Sequence, residues 1–181
     1  PPPSAITTSS AASSTAATAL APRSLSVPLE CPVVPPSFEP RADLTRQLRA
    51  RLADTRARGV AGATVAFGMG GSGKSTILAS LVRSVAHETV RGVIYHCVCW
   101  VPVGQTPDIC RLLGLLTKQL RAADSSASER QDDAAVAARD QSVLAKRLSE
   151  AASGRPVLCV LDDVWDPAHA LALAEPLGAH V

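Results

Sequence analysis

Aromatic side chains are scarce: two Phe, two Trp and one Tyr among 181 residues. A surface that stacks nucleobases needs more, so a single-strand nucleic-acid platform is excluded. Charge of one sign is also short. The formal net charge of +2 is too close to balance for a protein held on nucleic acid by phosphate neutralisation. Only three of the 18 basic residues are Lys. No apolar run approaches the roughly 20 residues that cross a bilayer. Neither nucleic acid nor a membrane is therefore expected as a partner. The five cysteines, Cys31, Cys97, Cys99, Cys110 and Cys159, make no Cys-x-x-Cys pair and no Cys/His metal spacing. Cys97 and Cys99 are two apart in an apolar run and so share a strand face. They read as buried thiols in a reducing compartment, which makes the expected location cytoplasmic.

The chain begins at Pro1 rather than Met, so it reads as a processed product or a fragment. It lacks the charged and apolar regions of a secretory signal. Residues 1–30 are rich in Ser, Thr and Ala, as a transit peptide would be, but Arg23 is their single basic residue. Residues 1–37 hold too few large apolar groups to offset their ordering entropy. They are expected to be a disordered tail, with the folded domain spanning 38–181. The prolines of "CPVVPPSFEPR" forbid helix and favour an extended segment along the domain surface.

Periodic apolar residues begin after Pro40. Leu44, Leu48 and Leu52, extended by Ala53 and Ala57, predict an amphipathic helix ending at Gly59. Arg46, Arg49, Arg51, Arg56 and Arg58 fill its remaining face, which reads as solvated. "GATVAF", residues 62–67, predicts a strand. Ile77, Leu78, Leu81, Val82 and Val85 predict a helix over 74–87. "GVIYHCVCWVPV" is apolar throughout, as a strand buried on both faces of a parallel sheet would be. A helix is expected over 107–122, a polar insertion over 123–133 and another helix over 134–152. "VLCVL" predicts a further strand, followed by a short helix from Pro167 to Glu175. "GAHV", residues 178–181, is expected to begin one more strand. Strands alternating with helices indicate an α/β doubly wound parallel sheet.

Between the first predicted strand and its helix lies Gly68-Met69-Gly70-Gly71-Ser72-Gly73-Lys74-Ser75. It satisfies GxxxxGK[ST], the phosphate-binding P-loop pattern. The pattern has a physical reason. Backbone N–H groups converge on phosphate oxygens only where missing Cβ atoms permit the curvature. The following helix adds its N-terminal dipole. Lys74 would reach the β- and γ-phosphates, Ser75 would ligate Mg²⁺, and the Thr76 hydroxyl lies next in line. A Mg²⁺–nucleotide site also needs a carboxylate at the end of a buried strand. "VLCVLDDVW" supplies two, Asp162 to hold Mg²⁺ through water and Asp163 to orient or deprotonate the attacking water. Asp163 and Lys74 are thus the candidate catalytic groups, and ATP or ADP with Mg²⁺ the expected cofactors.

"GMGGSGKST", "CVCWVPVGQTPD" and "VLCVLDDVW" together resemble the NB-ARC branch of the STAND nucleotide switches, the group of apoptosome adaptors and plant disease-resistance proteins. The ending "DDVW" is the most diagnostic part. The resemblance runs from about residue 33 to 181. It implies a three-layer P-loop NTPase sheet, ending here after the acidic Walker B strand. It also implies self-assembly or protein partners in a longer parent. In "VVPPSFEPRADLTRQL" it implies adenine contacts near Val33, Val34 or Phe38, with Arg41 as the arginine before the first helix. The implied strand order, 5-1-4-3-2, puts one strand, starting near Ala179, between residues 63–67 and 157–161. Two other readings stand beside a switch with slow hydrolysis. A small-molecule phosphotransferase would need an acceptor pocket and a basic lid, which no segment supplies. A vestigial interaction module fits poorly with an intact Lys74, Ser75 and Asp162.

Overall fold

The computed structural model describes residues 25–57, 62–87, 95–123 and 139–180. In chain order they form α1 (Ala42–Ala57), α2 (Lys74–His87), β1 (Cys97–Gly104), α3 (Ile109–Ala122), α4 (Gln141–Ala152), β2 (Val157–Val164), α5 (Pro167–Ala174) and a 3₁₀ turn over Glu175–His180. The class is mixed α/β, and among the described residues the sheet has two parallel strands. β1 pairs with β2 in the register Cys97↔Val157 through Gly104↔Val164.

The continuous apolar reading of β1 matches two separate cores. Cys97, Cys99, Val101 and Val103 point to one face, against Leu112, Leu113, Leu116 and Leu120 of α3, Leu144 and Leu148 of α4, and Leu173. Val98 and Trp100 point to the other, against Ile77, Leu81, Val82 and Val85 of α2, Leu48 of α1, and Cys31. Period-two alternation thus feeds helices on both sides of one sheet. Each fully buried leucine contributes about 1.5–3 kcal/mol. The core thiols stay protonated. The bond to Cys97, then burial, raises Cys99, and burial pushes Cys159 up to about 12.

Helix starts follow short local rules. The carboxylates of Asp108 and Asp166 accept from Arg111 N (3.1 Å) and Ala168 N (2.8 Å), capping α3 and α5. Asp140 caps α4 in the same way through Val143 N (3.2 Å). α3 begins two residues later than expected because its cap is Asp108. Of the helix expected over 134–152, residues 134–138 lie outside the described residues, as does nearly all of the 123–133 insertion.

Two expected strands do not form. Residues 62–67 carry no ladder, and Val65 and Phe67 are 78% and 91% exposed. A strand exists only by pairing, and no described strand runs alongside this segment. "GAHV" also departs from expectation: Gly178 to His180 belong to the 3₁₀ turn, where Gly178 kinks the backbone at φ 59°. Val181 lies outside the described residues. Among the described strands β2 is not paired with residues 63–67.

The assumed tail has contacts of its own. Residues 1–24 lie outside the described residues, but residues 25–38 pack on the domain. Leu25 N donates to Ala86 O (3.1 Å). Cys31 is buried, and the Arg83 guanidinium donates to its Sγ (3.2 Å) and to Pro32 O (2.9 Å). Arg49, expected on a solvated face, instead donates to Ser84 Oγ and so ties α1 to α2.

The outer edge of β1 is closed by a side chain. Gln119 of α3 accepts from Trp100 N (2.9 Å) and donates to Trp100 O (3.0 Å). Both groups of one peptide edge thus meet an amide, as they would in a neighbouring strand, so this edge faces away from β2. Gln119 Nε2 also donates to Glu30 (2.8 Å). Replacing Gln119 by Ala would leave two buried backbone groups without partners. The expected loss is about 2 kcal/mol, read as a lower urea midpoint at unchanged slope.

Candidate functional site

The apolar segment 62–67 leads into the glycine loop, and α2 starts immediately after it at Lys74. Gly71 and Gly73 adopt φ 73° and 86°, conformations that cost a side-chain-bearing residue about 1–2 kcal/mol. A Cβ built on either would meet nothing within 4 Å. Packing therefore does not require glycine here. The backbone turn does. Ile77 N donates to Gly73 O (2.9 Å), closing the first turn of α2. The first turn of α2 holds no acidic residue, so nothing there opposes an anion at its N-terminus.

Lys74 folds back over the loop. Its ammonium donates to Gly68 O (2.9 Å) and Met69 O (2.8 Å). A cation thus sits at the loop mouth on neutral acceptors that phosphate oxygens can replace. One residue on, Ser75 Oγ donates to Asp162 Oδ1 at 2.7 Å, joining groups 87 positions apart. This bond brings the glycine loop and the acidic end of β2 together. Asp162 Oδ1 also accepts from Asp163 N (3.1 Å). Among the described residues no three His, Cys, Asp or Glu side chains group as metal ligands. An Mg²⁺ ion at Ser75 and Asp162 would complete its shell with phosphate and water oxygens, its usual habit.

The remaining candidates lie where the backbone puts them. Gly70 and Ser72 form the tight part of the loop, where Ser72 N donates to Met69 O (3.3 Å). The Met69 side chain is 84% exposed. Thr76 follows in the first turn of α2, half-buried. Val34 and Phe38 are half-buried against the cluster containing Ile77 and Trp100. Val33 is 82% exposed. Arg41 is exposed, and its carbonyl accepts from Thr45 N (3.0 Å) at the start of α1.

Two features escaped the sequence reading. Asp163 takes φ 56°, a left-handed conformation uncommon for a residue other than glycine. Its Oδ1 accepts from Trp165 Nε1 (3.0 Å). The sequence signal was present, a Trp two residues past the second Asp and therefore on the same side of an extended chain, but spacing alone does not specify the bond.

A strand end carrying a carboxylate, a glycine loop opening a helix and a lysine over that loop thus lie together in one place. The family model described as the NB-ARC domain matches residues 42–178. The chain belongs to the NB-ARC family, the nucleotide-binding domains of signalling proteins. No curated protein and no solved structure matches it. Among the described residues no helix is long and apolar enough to cross a membrane.

Proposed function

We propose that this chain is an ATP/ADP-binding switch domain of a signalling protein, with slow Mg²⁺-dependent ATP hydrolysis. The observation that carries the reading is the 2.7 Å bond from Ser75 to Asp162. Two polar groups remote in sequence converge beside the glycine loop, at a point that no packing requirement explains. Residues 68–76 would hold the phosphates, with Lys74 exchanging its loop carbonyls for the β- and γ-oxygens. Ser75 would bind Mg²⁺ directly and Asp162 through water. When bound, Mg²⁺ supplies positive charge between the β- and γ-phosphates. Val34, with Phe38, would lie on the base side and Arg41 near it. Helices on both faces of a parallel sheet support assignment to the three-layer P-loop NTPase fold.

A switch needs states that differ in their contacts to the γ-phosphate. Here those contacts would be Lys74, Ser75 and Asp163. ADP would favour one state and ATP a second, assembling state, with hydrolysis resetting the first. Asp163 would accept the proton of the attacking water, a role typically worth 10²–10⁴-fold in rate. Asp163→Asn is therefore expected to lower phosphate release by about 100-fold while changing ADP affinity less than about twofold. Phosphate release under single-turnover conditions, alongside titration with a fluorescent ADP analogue, measures both. Wild-type release from the Asn variant would remove Asp163 from the reaction. A wild-type protein that fails to bind ADP would remove the nucleotide reading itself.

A further inference from the structure

Trp165 and Phe67 are the two described aromatic residues left largely exposed, and of the two Trp165 carries a polar group. It is 63% exposed, whereas Trp100 is fully buried. Its indole nevertheless has a fixed partner, the Asp163 carboxylate, at 3.0 Å. That carboxylate sits on a backbone held at φ 56°. Strain of this kind persists only where neighbouring contacts over-determine it. Two bonds do so here. Asp163 N is held by Asp162 Oδ1 (3.1 Å), and Asp163 Oδ1 is held by Trp165 Nε1. Asp162 is in turn held by Ser75. An unbroken path therefore runs from the first turn of α2 through Asp162 to Asp163 and ends on the indole.

We propose that Trp165 is a positioning residue for hydrolysis, its N–H fixing the Asp163 carboxylate so that Oδ2 faces the attacking water. The inference rests on the reading of Asp163 as the proton acceptor. In that step the water oxygen bonds to the γ-phosphorus while its proton passes to Asp163 Oδ2. The bond from phosphorus to the bridging oxygen breaks, and its electron pair leaves on ADP. The indole touches none of the reacting atoms. It takes up Oδ1 and removes the rotation about the Asp163 side chain that would carry Oδ2 away. The bond also keeps an apolar ring at the rim of the site without burying it, and the ring's exposure is what makes the donor removable without damage to the core.

The test uses Trp165→Phe, Trp165→His and Asp163→Asn in the intact protein. Phenylalanine removes the donor. Histidine restores one, since its Nε2 lies as many bonds from Cβ as the indole nitrogen does. Trp165→Phe is expected to lower the turnover rate about 10-fold with KM and ADP affinity within about twofold, and Trp165→His to recover most of the loss. Circular dichroism should be unchanged in all three. Turnover of Trp165→Phe at the wild-type rate, equal slowness of Phe and His, or a parallel loss of ADP affinity would each overturn the proposal. A slow Asp163→Asn beside a normal Trp165→Phe defeats the role of Trp165 alone. A normal Asp163→Asn, or a wild type that binds ADP but releases no phosphate, defeats the reading of Asp163 and the proposal with it. A spectroscopic measurement is independent of turnover. With Trp100 buried, acrylamide quenches Trp165, and Asp163→Ala should raise that quenching by releasing the ring. Unchanged quenching would mean that the bond does not hold the indole, and would overturn the proposal.

Discussion

Lys74→Ala is expected to weaken ADP binding by about 100-fold or more, with no measurable change in fold. The two halves of this expectation have separate grounds. In the protein without nucleotide, Lys74 donates only to two exposed loop carbonyls. Water replaces such bonds at little cost, so the variant should keep its far-UV spectrum and its urea midpoint. With nucleotide, the same ammonium would make charge-assisted bonds to phosphate oxygens, each worth about 1.5–3 kcal/mol. Two such bonds amount to roughly 3–6 kcal/mol, hence the factor of 100 or more. Titration with a fluorescent ADP analogue reads the loss directly. Retained affinity would mean that the loop does not hold the phosphates. A lost spectrum would mean that Lys74 supports the loop itself, against what its exposed bonds indicate.

The site was more legible in the sequence than the sheet was, for a physical reason. The glycine loop is specified locally. Its turn is set by glycines at positive φ, Gly68, Gly71 and Gly73, so spacing alone identifies it. The placement of Asp162 at the end of "VLCVL" was legible for a similar reason, because an apolar run that stops at two carboxylates can hardly continue into a core. A strand is not a local object. Residues 63–67 have the β-branched and aromatic composition of one, yet a ladder requires a neighbour that composition does not name. "GAHV" failed differently, since Gly178 permits the left-handed kink that closes the 3₁₀ turn. The same non-locality hid the contacts of residues 25–38. Their apolar groups are too sparse to predict a core, but Cys31, Val34 and Phe38 each reach a cluster supplied by α2 and β1. Gln119 and Trp165 were illegible because each bonds particular partners that spacing does not name, Gln119 the backbone of Trp100 and Glu30, and Trp165 the Asp163 carboxylate. A glutamine in a helix ordinarily faces water, and nothing in its neighbours announces that its amide will finish a sheet edge.

Trp100→Ala is expected to cost about 3–5 kcal/mol, the usual loss when a buried indole is truncated. Total stability of a domain is about 5–15 kcal/mol, so this variant should be partly unfolded at moderate urea where the wild type is intact. The position justifies the upper part of that range. Trp100 is fully buried in the middle of β1, in the cluster shared with Ile77, Leu81 and Val82 of α2. Its peptide is clamped on the outer edge by Gln119, which limits how far the strand can shift to fill the cavity. Trp100→Phe keeps most of the volume and should cost markedly less. The same cavity lies beneath the helix that opens at Lys74, so the damage should reach the loop as well. Linkage separates the two effects. A ligand that binds only the folded state stabilises it by about 2.7 kcal/mol at 100 times its Kd. If the variant still forms the loop, ADP at that multiple of its own Kd should raise the urea midpoint of Trp100→Ala by as much as it raises that of the wild type. If α2 has moved, ADP should raise the midpoint of the wild type alone. A Trp100→Ala protein with wild-type stability would show that the two faces of β1 do not form the core that holds α2 in place.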